Sequence, residues 1–226
     1  ADGASYYDAA TGTWKKSYVQ TQNTNSDLKW ESTSQVNIGL DFSILNRING
    51  TIEYYHKKTS DLLWTYPVPQ PPYLVGTMLA NVGDLVNQGI ELTLNANILR
   101  QEDWTLDANV RLAYNKQEIT KLSNDTYQAV GLQAGSLHGL RGMSGQYSQI
   151  IKEGYPAGTF YGPKCNGIDT DGKYIIERDT EDNPIKEDLG SAMPKINLGV
   201  GINLTYKDFD LGIAGYGMFG QKVLNA

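Results

Sequence analysis

Residues 104–114 read Trp-Thr-Leu-Asp-Ala-Asn-Val-Arg-Leu-Ala-Tyr, and this stretch decides the fold class. Trp104, Leu106, Ala108, Val110, Leu112 and Tyr114 alternate with Thr105, Asp107, Asn109, Arg111 and Ala113. A period of two held over this length is a β signal with little helical competition. It also exceeds the roughly 5–6 residues of an ordinary strand and matches the roughly 9–11 that a tilted strand needs to cross a bilayer. Trp104 and Tyr114 close the apolar face at its two ends. At about 3.3 Å per residue and a tilt of about 45° they stand about 23 Å apart along the membrane normal. The two aromatic girdles of an outer-membrane barrel are separated by about 25 Å.

The same alternation recurs outward in both directions. Val36–Ile44 places apolar residues at even positions against Asn37, Gly39, Asp41 and Ser43. Ile90–Ile98 sets Ile90, Leu92, Leu94 and Ala96 against Glu91, Thr93, Asn95 and Asn97. Ile196–Tyr206 sets Leu198, Val200, Ile202 and Leu204 against Asn197, Gly199, Gly201 and Asn203. Ile48–Tyr55 and Phe209–Ile213 follow more loosely. Connections alternate between short (45–47, 99–103, 207–208) and long (about 57–88 and 117–194), as in barrels with periplasmic turns and extracellular loops. The second long connection exceeds what unstructured loops span, so a further hairpin is expected there, with strands at about 146–152 and 159–164. The expected fold is all-β: an antiparallel transmembrane barrel wall of about eight strands. The even-numbered set Leu92, Leu94, Trp104, Leu106, Val110, Leu112, Tyr114, Leu198, Val200, Ile202 and Leu204 is expected to face lipid. Thr93, Asn95, Asn97, Asp107, Asn109, Arg111, Asn197 and Asn203 are expected to face a lumen. A soluble sandwich also alternates, but its wet face usually carries more Lys and Glu than this one.

Composition agrees. The 226 residues include 15 Tyr and 24 Gly, and aromatic residues suit a pleated surface. A net charge of −6 argues against a nucleic-acid partner, which needs a basic footprint. Most of that charge sits between Asn166 and Gly190, where eight carboxylates face three cations. Cys165 is the only cysteine, so no intrachain disulfide forms. There is no apolar run long enough for a transmembrane helix, which says nothing against a barrel.

Several stretches resemble the SusC/RagA family of TonB-dependent outer-membrane transporters. Asn23–Glu31, NTNSDLKWE, is similar to a family stretch N-P-D-L-K-W-E, with Ser26 in the proline's place. Glu53–Leu63 resembles Y-Y-x-K-K-T-x-D-L-L, and Asn81–Glu91, NVGDLVNQGIE, resembles N-x-G-x-x-x-N-x-G-x-E. Gly154–Gly162, GYPAGTFYG, is similar to G-x-P-x-G-x-F-Y-G, and Gly190–Gly199 and Asn203–Leu211 resemble the run into the late barrel strands. The resemblance implies a late arc of a 22-stranded barrel, with residues 1–226 belonging to the barrel domain and no plug among them. It further implies import of an oligosaccharide or peptide across the outer membrane of a Gram-negative bacterium, a SusD-like surface lipoprotein as lid, and energy supplied through TonB. The other reading is a self-contained eight-stranded barrel serving as adhesin or anchor.

Candidate contact residues for a substrate are Trp64, Tyr66 and Tyr73 in a proline-rich stretch expected above the membrane, together with Asn81 and Asn87. In the alternative reading Gly83 and Gly89 permit a tight re-entry from loop to strand, and the two asparagines bond local backbone. Asp169-Thr170-Asp171-Gly172 begins like a calcium loop but lacks the later ligands, so no metal is expected. His56, His138, Cys165, Ser144 and Ser148 lack the partners that catalysis requires. Neither enzymatic activity nor a cofactor is expected.

Overall fold

The computed structural model describes residues 5–18, 20–139 and 141–225. Its centre is one six-stranded antiparallel sheet. In chain order the strands are β3 (Ser32–Ile44), β4 (Ile48–Pro67), β5 (Thr77–Arg100), β6 (Trp104–Lys121), β13 (Ile196–Tyr206) and β14 (Phe209–Phe219). They lie side by side in the order β14-β13-β6-β5-β4-β3. Chain neighbours are sheet neighbours except at β6 and β13, which pair directly although 74 residues separate them.

The register carries each face across the whole sheet. One row reads Leu40–Ile52–Leu92–Leu112–Leu198–Gly217, and the next Phe42–Gly50–Leu94–Val110–Val200–Gly215. Gly50 fits this row because the Phe42 ring and Leu94 already occupy the space where its Cβ would stand, at 2.4 and 2.7 Å. The apolar face is bounded by aromatic rows. Above, Tyr54, Ile90, Tyr114, Ile196 and Phe219 are directly opposed. Below, Trp104 stacks on Tyr206 at 4.1 Å, and Phe209 follows Tyr206 in register. The other face carries the rows Thr51–Thr93–Arg111, Asn49–Asn95–Asn109 and Asn97–Asp107–Asn203. All eleven residues expected to face lipid therefore share one face, and all eight expected to face a lumen share the other.

The lower turns are tight. Leu45 and Asn46 both have positive φ (51° and 50°), and Arg47 N–H donates to the Ile44 carbonyl at 3.0 Å. That is a type I′ turn, whose twist matches the flanking strands. At the foot of β5 a bulge between Asn97 and Leu99 brings Leu99, rather than Ile98, opposite Leu106.

Three features differ from the sequence reading. First, the connection expected over 57–88 is mostly strand: β4 and β5 continue to Pro67 and from Thr77, leaving only 68–76 as loop. Bulges between Thr59 and Leu63, with Asp61 at φ 62°, break the two-residue period and so hide the strand from a periodicity reading. Second, the wall has six strands rather than about eight. The expected hairpin exists as β8 (Tyr147–Ile151) and β9 (Thr159–Pro163), but these pair with β7 (Leu132–Ser136) and β12 (Lys186–Ser191) in a separate four-stranded sheet, order β12-β9-β8-β7. With only five or six residues each, they are too short for a crossing that needs about 9–11. Third, two small hairpins form, β1 (Ser5–Asp8) with β2 (Thr13–Lys16) and β10 (Cys165–Ile168) with β11 (Tyr174–Ile176).

Candidate functional site: the polar face and the ribbon above it

β5 holds 24 residues, about 79 Å of strand at roughly 3.3 Å per residue. Only part of that can lie within a membrane, so β4 and β5 rise above the aromatic rows, flanked by β3 as far as Ser60 and by β6 as far as Asp84, and continue beyond as a two-stranded ribbon. The ribbon is fastened on both sides.

On one side a strap, residues 20–31, is tied down by asparagine side chains. Asn23 Nδ2 donates to the carbonyls of Val75 and Thr77, and its Oδ1 accepts from Val75 N–H. Asn25 Nδ2 donates to the Leu79 carbonyl at 2.9 Å. Asn81 accepts from Lys29 N–H at 3.0 Å and donates to the carbonyls of Lys29 and Asp61 at 2.9 and 2.7 Å. Lys29 also pairs with the Asp61 carboxylate at 2.9 Å, and Glu31 accepts from Leu63 N–H at 2.8 Å. A primary amide is the side chain that can close such a clasp, because it offers donor and acceptor together.

On the other side Tyr66, Met78, Ala80 and Val82 are buried, with Trp64, Tyr127 and Ala129 packed against the cluster. Tyr66 is wholly withdrawn from solvent and donates its hydroxyl to the Leu122 carbonyl at 3.0 Å. Burial, reinforced by the Glu153 carboxylate, pushes its hydroxyl above the usual phenol range, which keeps it a donor. Glu153 in turn accepts from the N–H groups of Leu122 and Ser123. The Gly154–Gly162 stretch staples the upper sheet to β6: Gly154 N–H donates to the Ile119 carbonyl, Ile119 N–H donates to the Tyr155 carbonyl, and Thr159 Oγ1 donates to the Pro156 carbonyl.

The five contact candidates therefore separate. Asn81 spends its amide on the clasp, the local-backbone role. Tyr66 is core, Trp64 packs on that core, and Tyr73 is half-buried in the 68–76 loop. Asn87 differs: its Oδ1 is buried without a hydrogen-bond partner, as is Oε1 of Gln117 directly opposite it on β6. Gln117 escaped the sequence reading because nothing local marks it; only the register with Asn87 does. One row below, the Tyr55 ring lies across Gly89 to reach Asn115 Oδ1 at 2.7 Å.

The acidic stretch folds into turns. Asp169 accepts from the N–H groups of Asp171 and Lys173, and Asp179 from those of Glu181 and Asn183. These backbone bonds, that from Asn183 foremost, hold the Asp179 carboxyl below its usual range. Asp169 is thereby committed to a turn. His138 Nδ1 accepts from Gly145 N–H and lies 3.3 Å from Ser144 Oγ, a loop contact without a carboxylate.

An Asn81→Ala variant should unlatch the strap. It removes two hydrogen bonds to Lys29 of the strap and a part-buried one to Asp61, worth about 1 kcal/mol each, so hydrogen exchange at residues 20–31 should quicken by about tenfold or more while β13 and β14 stay protected. Unchanged exchange in the strap would show that the clasp carries no such load.

A twisted antiparallel sheet of bilayer-length strands, one face apolar between aromatic rows and the other rich in amides, is a section of a transmembrane β-barrel wall. Residues 3–220 match the family described as TonB dependent receptor-like, beta-barrel, and the chain belongs to that family. Barrels of this family sit in the Gram-negative outer membrane. Among curated relatives the chain is 33% identical over 198 residues to the TonB-dependent receptor SusC of Bacteroides thetaiotaomicron, covering 84% of this chain and 19% of that protein. It is 29% identical over 232 residues to TonB-dependent receptor P3 of Formosa agariphila, covering 92% and 22%. Among solved structures it resembles the RagAB peptide importer in its closed-closed state, with TM-score 0.68, 25% identity, and 96% of this chain against 24% of that one. The open-open state superposes with TM-score 0.72 at 24% identity. The chain thus spans about a fifth of the length of the curated relatives it matches.

Proposed function

We propose that this chain forms part of the wall of an outer-membrane channel that actively imports an oligosaccharide or a peptide. The even-numbered apolar face meets lipid, and the amide-rich face lines the path. TonB supplies the energy through parts of the protein outside this chain, and a SusD-like surface lipoprotein closes the mouth. The observation that carries the reading is the register between the aromatic rows, which keeps the apolar rows on one side of the six strands and the rows of Thr, Asn, Asp and Arg on the other. The resemblance to the SusC/RagA family implies the two substrate classes, and likeness to a peptide importer supports the second.

The test uses the full-length protein in its own outer membrane, with fluorescently labelled oligosaccharides and peptides of several lengths. Uptake of one class is expected, and it should stop when the inner-membrane proton gradient is collapsed. A barrel that assembles normally yet takes up neither class would overturn the transport reading and favour an anchor or adhesin.

A further inference from the structure

Where β6 rises past Tyr114 it parts from its neighbour. Asn115 N–H still donates to the Lys195 carbonyl, and four residues on Ile119 N–H donates to the Tyr155 carbonyl, both at 2.9 Å. Between these bonds the sheet has a gap, and a cavity of about 370 Å³ opens there, lined by Gln117, Lys195 and Lys222 among others. Alternation along β6 turns the backbone N–H and C=O of Gln117 toward the gap, as it does those of residues 115 and 119.

The charges at this gap are not balanced like those on the opposite face. On the apolar side, just above the aromatic row, Lys58 pairs with Asp84 at 3.2 Å and Lys116 with Glu118 at 2.8 Å. Lys57 on the polar face, and Lys195 and Lys222 in the cavity lining, have no carboxylate within ion-pair distance among the described residues. The cavity lining also holds two carboxylates: Glu118, paired with Lys116, and Asp188, which accepts from Gly190 N–H at 2.7 Å and lies beyond ion-pair distance of either lysine. The lysine stems are also held. Lys195 Cβ would stand 3.2 Å from a Cβ on Gly220, and Lys222 Cγ 2.8 Å from one on Gly190. Both glycines have positive φ, 84° and 104°, so each leaves a notch in which a lysine stem lies. Beside them Gln117 lines the same cavity, and its amide NH2 can donate to an anion there.

The geometry points to a carboxylate-binding subsite in this gap, built from the ammonium groups of Lys195 and Lys222 and the amide of Gln117. Its ligand is the carboxylate of an imported molecule, either the C-terminus of a peptide or a uronate of an acidic oligosaccharide. Two ammonium groups without a carboxylate in ion-pair contact, next to an amide whose NH2 is a donor, supply charge-assisted hydrogen bonds to such a group. The assignment rests on the amide-rich face being the channel wall.

The test is calorimetry on the full-length transporter with two probe pairs: a hexapeptide as free acid and as C-terminal amide, and a trigalacturonate with its methyl ester. In one pair the acid should bind about tenfold tighter than the neutral form, the preference expected from one charge-assisted contact of about 1.5 kcal/mol. That pair identifies the source of the carboxylate. The K195Q/K222Q variant should bring the ratio close to one while leaving the neutral probe's affinity unchanged, and K195R/K222R should preserve the preference. Equal binding of acid and neutral forms in both pairs, or a preference that survives K195Q/K222Q, overturns the assignment. If the double glutamine variant does not assemble, the unmodified protein still decides, because an acid preference that does not fall as sodium chloride rises also overturns it. Binding of none of the four probes rejects the import reading beneath it.

Discussion

Leu94→Arg and Val110→Arg should each impair assembly of the barrel by about 2–4 kcal/mol, the cost of arginine at the bilayer midplane on a lipid-facing strand position. Both residues lie in the row Phe42–Gly50–Leu94–Val110–Val200, midway between the aromatic rows. An arginine there is too far from either boundary to carry its charge to water. Asn95→Arg and Asn109→Arg place the same side chain one residue along the same strands but on the opposite face. Asn109 already lies over Gly201, with Nδ2 2.5 Å from where a Cβ would stand, so an arginine stem can follow a similar path. Their effect should be far milder, within about 1 kcal/mol, since Asn95 is exposed and Asn109 is half-buried beside a glycine. Folding of the full-length barrel into bilayers, followed by its mobility shift on heating, measures the contrast. Equal tolerance at the two pairs would reject the assignment of faces.

Gly89→Ala should be almost as damaging despite adding a single methyl group. A Cβ at Gly89 would stand 2.3 Å from the Tyr114 carbonyl oxygen, a backbone atom, and 2.7 Å from the Tyr55 hydroxyl. A side chain could turn away; the neighbouring strand cannot. The strands would have to separate at the row where Tyr55 reaches across to Asn115. Overpacking of this kind costs about 1–3 kcal/mol. Tyr55→Phe is the informative partner, since it removes the hydroxyl contact and keeps the ring. If Gly89→Ala is rescued by Tyr55→Phe, the ring hydroxyl and not the backbone set the limit, and the close-approach explanation fails. Lower heat stability of Gly89→Ala, unrelieved in the double variant, is the expected result.

Where burial alternates strictly, sequence and structure coincide. Residues 196–206 form a strand with the boundaries that their alternation marks, and Trp104 opens β6 as its alternation requires. A wall between oil and water writes itself into the chain at every residue, so it is legible locally. Above the aromatic rows that constraint lapses. Bulges around Thr59–Leu63 shift the period, and Trp64 and Tyr66 therefore read as loop although they are strand. The pairing of β6 with β13 left no local trace, because it depends on where a connection of 74 residues returns. The same limit governed the site. Asn81 and Asn87 share a motif and a residue type, yet one is bound to Lys29 and Asp61 while the oxygen of the other has no partner. Which backbone comes within reach of an amide is a property of the folded sheet. Gly83 and Gly89, read as easing a tight re-entry from loop to strand, lie inside β5 instead, where Leu62 and the Tyr114 carbonyl approach them closely.

The central claim is that one face of this sheet meets lipid and the other meets water. Nitroxide labels placed singly at residues 104 to 114 of the full-length protein in membranes measure it most directly, through their collision rates with oxygen and with a water-soluble nickel chelate. The account predicts a swing at every step, with oxygen dominant at 106, 108, 110 and 112 and nickel dominant at 105, 107, 109 and 111. A flat profile, or one with the two sets exchanged, would contradict it.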